Sequence, residues 1–290
     1  MANLAQFNKT ITDPRTQEYL GQVLGEKRGS FVNNLTALVA NNRALQECEP
    51  VTTMYAAIKA TALDLPLDQN LGFAYVIPYR NGKDNKVEAQ FQMGYKGYIQ
   101  LAMRSGQFRT INVRDVRQGE IVSEDFVSGE IVFSKLPAGE RERAEIIGFV
   151  AFFELMNGFK KMSYMSIAEL KAHGLRYSQT YASKKDYIRN SSKWSTDFEA
   201  MARKTVLKLL LAKYAPMSIE MQSAVKVDQA VIRTASGDID YVDNAPVEEQ
   251  EAEEVAEPQP QQYGAGVPAF KLFAEEPADA EVSDIMNNAK

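Results

Sequence analysis

Apolar positions recur at two different periods along this chain, and the change of period marks out its elements. From Phe31 the run FVNNLTALVANNRAL has helical spacing behind Ser30 as a cap, and TMYAAIKATAL (Thr53–Leu63) predicts a second helix that stops before Pro66. The period then shortens to two. FAYVIPY (Phe73–Tyr79) and VEAQFQM (Val87–Met93) read as strands joined across RNGKDN, where Asn81-Gly82 favours positive φ. YKGYIQLAMRSG (Tyr95–Gly106) returns to helical spacing and closes on a glycine. FRTINVRDV (Phe108–Val116) alternates as a strand should. EIVSEDF, GEIVFSKL, AEIIGFVAFFEL and FKKMSYMS follow it more loosely, the last two flanking the hairpin signal Asn157-Gly158. SIAELKAHG is a short helix and YSQTYASKKDY a loop or helix entry.

The last strong element is TDFEAMARKTVLKLLLAKY (Thr196–Tyr214). Thr196 and Glu199 have the spacing of a capping box, and Pro216 supplies the stop. Leu207, Leu210 and Tyr214 fall on one stripe that should face a core. Lys204 and Lys208 stack on a different face with Arg203 beside them, and neighbouring cations invite an anionic partner. A merely solvated helix face has the same pattern. Since the two lysines lie off the apolar stripe, replacing both with alanine is expected to spare the fold and weaken anion binding. Helices, then a mainly antiparallel sheet with one embedded helix, then helices again make an α+β fold.

Charge sharpens this picture. Of 38 acids and 33 bases, 14 and 2 lie from Ser236 onward, a net of −12 there. Residues 1–235 therefore hold 24 acids and 31 bases, a net of +7. From Lys160 to Tyr214 there are 12 bases against 4 acids, and from Met93 to Arg117, 5 against 1. Tyr95, Tyr98, Phe108, Tyr177, Tyr181, Tyr187 and Trp194 interleave these cations. Cations neutralise phosphates and rings give bases a surface to stack on, which is what a nucleic-acid groove needs. Aromatic residues also dominate ordinary cores.

The expected organisation is a loosely ordered N-terminal segment (1–30), with Asp13-Pro14 as a turn, and a body that binds and oligomerises (31–235). A disordered acidic linker (236–268) and a terminal segment (269–290) follow. That last segment regains Phe270, Leu272, Phe273, Val282, Ile285 and Met286, which suit a docking motif for another protein or a plain solubilising tail. The start of the chain lacks a signal peptide and no stretch reads as a membrane span, so a cytoplasmic protein is expected.

Several chemistries are disfavoured. Gly21, Gly25 and Lys27 in GQVLGEKRGS miss the phosphate-loop spacing, so no ATP site and no cofactor are expected. Cys48 with the single histidine, His173, is too small a set for structural zinc. Glu88, Asp115, Glu120, Glu124 and Asp125 form no defensible two-metal arrangement. No catalytic residue and no metal ligand is assigned.

AYVIPYRNGKDNKVEAQFQMGYKGYIQLAMRSGQFRTINVRDV (Ala74–Val116) and KWSTDFEAMARKTVLKLLLAKYAPMS (Lys193–Ser218) together resemble the RecT family of phage single-strand annealing proteins. The likeness covers roughly residues 30–235 and leaves out the acidic tail. It implies a core distantly similar to other annealing proteins, and ATP-independent pairing of DNA strands by a ring or helical filament of identical subunits. It also implies coating of single-stranded DNA, holding of the annealed duplex, and a bacterial host or prophage origin. A partner exonuclease and the host single-strand-binding protein are the natural candidates for the tail. Carried onto matching positions, the DNA-binding residues are Tyr95, Lys96, Arg104, Arg109, Lys193, Trp194, Arg203, Lys204 and Lys208. Charge alone adds Arg114, Arg117, Lys184, Lys185 and Arg189. The glycines of Gly94-Tyr95-Lys96-Gly97 would let backbone approach a phosphate, or simply make a tight turn. A coating protein that does not anneal and a metal-dependent nuclease are the alternative functions. If about five cations meet phosphates, log K against log[salt] should slope near −3.5, from ~0.7 per phosphate on single strands.

Overall fold

A computed structural model describes residues 2–68, 70–81, 86–125, 127–234 and 239–240 of the chain. Helices α1 (Ala2–Thr12), α2 (Pro14–Leu24), α3 (Arg28–Ala40), α4 (Arg43–Gln46) and α5 (Pro50–Ala62) precede the first strand. The segment before Phe31, expected to be loosely ordered, is thus helical. Phe7 and Ile11 lie one turn apart and are buried with Leu20 in the main core. Asp13 stops one helix and starts the next: its side chain accepts the N–H groups of Arg15 (3.0 Å) and Thr16 (3.4 Å), with Pro14 in the first turn. α5 is buried through Thr53, Met54, Ala56, Ala57, Ile58 and Ala60. Its alanines let it lie closely on the first sheet.

That sheet contains β1 (Ala74–Asn81) and β2 (Lys86–Met93), antiparallel from Ala74↔Met93 to Asn81↔Lys86. The expected Asn81-Gly82 turn falls largely on residues 82–85, outside the described residues. Then come α6 (Tyr95–Arg104), β3 (Phe108–Arg117), the hairpin β4 (Ile121–Asp125) and β5 (Glu130–Phe133), and α7 (Ala138–Arg143). β6 (Ile146–Leu155) and β7 (Lys160–Ser166) follow, turning at Gly158 with φ +87° where Asn157-Gly158 predicts it. The chain continues through α8 (Ile167–Tyr177), α9 (Asp186–Ser191), α10 (Lys193–Thr196), α11 (Phe198–Tyr214) and α12 (Ile219–Val227). It closes with β8 (Ala230–Ile232) and β9 (Ile239–Asp240).

Every strand pair among the described residues is antiparallel: one sheet runs β1-β2-β8-β9, a second β3-β6-β7, and β4-β5 stands as a two-stranded ribbon. The α+β expectation therefore holds, with the strands divided between separate sheets. α5 packs on β1, β2 and β8, while α11 packs on β3, β6 and β7 and against α6. α11 thereby links the second sheet to the helix that follows the first. β9 pairs with β8 through Ile232↔Ile239, so pairing extends past the boundary expected at residue 235. The rest of the acidic linker and the terminal segment 269–290 lie outside the described residues. No helix among the described residues is long and apolar enough to cross a membrane.

Candidate nucleic-acid interface

The two sequence blocks meet first at a buried carboxylate. Asp228 lies in the turn between α12 and β8, where Gln229 takes a left-handed φ of 69°. The turn is held by Gln229 N–H to the Phe91 carbonyl (2.9 Å), and by Gln90 Nε2 to the Gln229 carbonyl (2.6 Å). It sends a fully buried Asp228 side chain inward. One carboxylate oxygen accepts Lys204 Nζ (2.8 Å) and the Met93 N–H (2.9 Å). The other accepts Lys208 Nζ (2.8 Å) and the Tyr98 hydroxyl (3.0 Å). Burial on its own raises this carboxyl; the two ammonium groups and their hydrogen bonds more than reverse that, holding it well below the usual carboxylate range. Tyr98, fully buried and beside the carboxylate, is pushed the other way.

This arrangement corrects the reading of α11. Lys204 and Lys208 do not form a free cationic face: Lys204 is 5% exposed, and both ammonium groups are spent on Asp228. The cap also moves by one residue, for Asp197 accepts the Ala200 N–H while Glu199 pairs with Arg203 at 2.8 Å. Of the expected stripe, Leu207 and Leu210 are buried, whereas Tyr214 is 37% exposed under the ammonium groups of Lys161 and Lys213.

Above the carboxylate the same blocks form the walls of a groove of ≈ 490 Å³. One wall is β1 from Tyr75 to Pro78 and the start of α6 at Gly94, Tyr95 and Lys96. The other carries Lys193, Asp197, Met201, Arg203 and Lys204 from α10 and α11. Lys96 and Lys193 are exposed, and neither has an ion pair among the described residues. Arg203 is partly exposed, shared between Glu199 and Asp115 (4.0 Å), with its guanidinium 5.4 Å from the centre of the Phe149 ring. Asp197 is the acid of this lining. No side chain caps α6, and the N–H groups of Tyr95 and Lys96 have no partner among the described residues. An uncapped helix start beside an exposed lysine attracts anions.

The glycines of the first block serve the fold. A Cβ on Gly94 would lie 2.1 Å from the Gly72 carbonyl oxygen, and one on Gly97 2.2 Å from that of Phe73. The backbone they admit is the protein's own, which seats α6 under the loop before β1; Gly94 N–H donates to Phe73 O at 2.9 Å.

The other expected cations divide into tied and free. Arg104 donates to the carbonyls of Leu63 (3.0 Å) and Asp64 (2.9 Å), closing the C-terminal end of α5. Arg109 pairs with Glu154 (3.1 Å), Arg117 with Asp115 (2.9 Å) and Arg189 with Asp186. Arg114, Lys184 and Lys185 are exposed without an ion pair among the described residues, and none of them lines the groove. Trp194 is a core residue: it is 5% exposed, near-parallel to Tyr181 at 6.0 Å and edge-on to Phe198. Gly174 lies so close that a Cβ there would be 2.8 Å from the indole. His173 packs on Tyr177 and Trp194; burial first, then the charges of Lys208 and Arg176, lower its pKa.

Three of the scattered carboxylates, Glu88, Asp115 and Glu120, are held by arginines. Arg233 holds Glu88 through both oxygens (2.7 and 2.8 Å), and Arg141 bridges Asp115 (2.9 Å) and Glu120 (2.7 Å). Among the described residues no group of three His, Cys, Asp or Glu side chains could hold a metal ion. Sequence reasoning missed Asp228, Tyr75 and the role of Arg141. An aspartate isolated among apolar residues in VKVDQAVI was the only signal available for the first.

Comparison with known proteins spans both blocks. The RecT family pattern matches residues 29–253, reaching into the acidic region. Protein RecT of Escherichia coli (strain K12) is 30% identical over 223 residues, covering 76% of this chain and 78% of that protein. YqaK of Bacillus subtilis (strain 168), a protein described as uncharacterized, is 37% identical over 221 residues, covering 76% and 71%. The chain belongs to the RecT family, whose role is single-strand annealing in DNA recombination.

Proposed function

We propose that this protein pairs complementary DNA strands without ATP, coating one strand and holding the nascent duplex in an assembly of identical subunits. The observation that carries the reading is the single groove built from residues a hundred positions apart, with Lys96, Lys193 and Arg203 around an uncapped helix start. Two strands repel through their phosphates; a cationic groove screens that repulsion and concentrates them, leaving base pairing to supply sequence specificity. The step makes and breaks no covalent bond, so it calls for no nucleophile, general base or nucleotide cofactor. Recruitment by a partner exonuclease or a single-strand-binding protein would be the business of the tail.

The test is a strand-pairing assay with purified protein, complementary oligonucleotides and no ATP. Pairing faster than in protein-free solution is expected. Slower pairing would mark a coating protein, and degradation with Mg²⁺ present a nuclease. With Lys204 and Lys208 withdrawn, three groove cations remain, so for an oligonucleotide just long enough to fill this groove the salt slope should be near −2 rather than −3.5. Lys96→Glu with Lys193→Glu should flatten it further and leave thermal stability unchanged, because both side chains are exposed. A slope near zero for the parent would remove the electrostatic account.

A further inference from the structure

A second groove, of ≈ 1030 Å³, opens between α3, the start of α4 and the segment after α5. Its floor is apolar, made by Phe31, Leu35, Leu38, Leu65 and Leu67, and Lys27 and Arg43 stand on its rim. Asn42 and Asn70 line this groove and the first one as well, so the two adjoin at these residues. We infer that a DNA strand seated in the first groove runs on past Asn42 and Asn70 into the second, with Arg43 meeting its backbone and its bases lying over the apolar floor. This rests on the nucleic-acid reading above.

The lining suits that occupant. A single strand is amphiphilic: unpaired bases gain from covering apolar surface while phosphates need cations or water. Arg43 is exposed and has no ion pair among the described residues, so its guanidinium is available to a phosphate. Lys27 contributes less, because it sits 4.0 Å from Asp64, and Asp68 lies on the same rim. Those two acids favour a path along the Arg43 side. Asn42 spends its amide oxygen on the N–H groups of Ala44 (3.1 Å) and Leu45 (3.3 Å), and its amide nitrogen has no partner among the described residues. The same holds for the side chains of Asn34, Asn41 and Asn70, which leaves donors and acceptors for bases or sugars at the junction.

Photo-crosslinking of the full chain with oligodeoxythymidines carrying one 4-thiothymidine, followed by peptide mapping, tests the path. Nucleotides toward one end should crosslink near Tyr95, and those toward the other to the α3–α4 segment. Arg43→Glu should abolish only the second set, lower affinity for long oligomers several-fold, and spare the shortest oligomer that reaches Tyr95. Arg43→Gln should reduce the salt slope by about 0.7, one phosphate contact on a single strand. The inference is overturned if no position crosslinks to α3–α4. It is equally overturned if Arg43→Glu changes the oligomeric mass in light scattering while the crosslink map stays the same, since the groove then receives a second copy of the chain. A parent protein that binds no oligomer at any length would remove the nucleic-acid reading itself.

Discussion

Asp228 decides what the lysines of α11 do. Removing both leaves a fully buried carboxylate with only the Tyr98 hydroxyl and the Met93 N–H, and an uncompensated buried charge costs about 3–5 kcal/mol. Lys204→Ala with Lys208→Ala is therefore expected to unfold at a markedly lower urea concentration, and any loss of DNA binding would follow from that. An unchanged urea midpoint would show that the ion pairs contribute nothing. The sign of the pH effect follows from the depressed pKa of Asp228. Its contribution is complete above the unfolded-state pKa of about 3.9, and fades as pH falls from there toward the folded value. The parent should accordingly lose stability more steeply below pH 4 than the double variant, when urea midpoints are compared between pH 6 and 3. Spacing within α11 shows that two lysines share a face, but the partner is twenty residues downstream in another element. Only the three-dimensional turn at Gln229 reveals whether that face meets solvent, DNA or a carboxylate.

Elements whose identity depends on local periodicity were legible, and those that depend on distant packing were not. The helix beginning at Tyr95 and the β6–β7 hairpin at Asn157-Gly158 are fixed by spacing and turn chemistry within a dozen residues. α1 and α2 escaped because their apolar residues are few; Phe7, Ile11 and Leu20 gain their stability from the core they join. Trp194 misled for the complementary reason. Its basic, aromatic surroundings in sequence suit stacking on bases, while the Gly174 that makes room for it is twenty residues away. The start of α6 is the element on which the groove depends, and its geometry needs glycine at position 97. Gly97→Ala forces a methyl to 2.2 Å from the Phe73 carbonyl oxygen, which backbone must move to relieve. A cost of about 1–3 kcal/mol is expected, as for overpacking generally. Affinity for single strands should fall more than with Gly106→Ala in the same assay. Gly106 lines neither groove and has only its positive φ of 69° to lose, with open space around its added methyl. Equal affinities for the two variants would mean that the seating of α6 does not govern the groove.

On the scale of the whole molecule, a cationic body is covalently joined to an anionic segment. Residues 247–290 hold 11 acids and 2 bases, a net of −9, and they follow the body that ends at Pro246. An anion tethered to the protein is present at high effective concentration and competes with DNA for the same cations. Removing residues 247–290 while keeping β9 should therefore tighten binding of single strands at low salt, with the gain fading as salt screens both anions. Annealing of naked strands by the purified truncated protein should be intact or faster. Recombination in cells should instead fall, if Phe270, Leu272, Phe273 and the apolar residues after them dock a nuclease or a single-strand-binding protein. The two readouts separate the roles: faster annealing with lost recombination assigns the segment to recruitment. Loss of annealing in purified protein would make residues 247–290 part of the strand-pairing machinery and end the competition model.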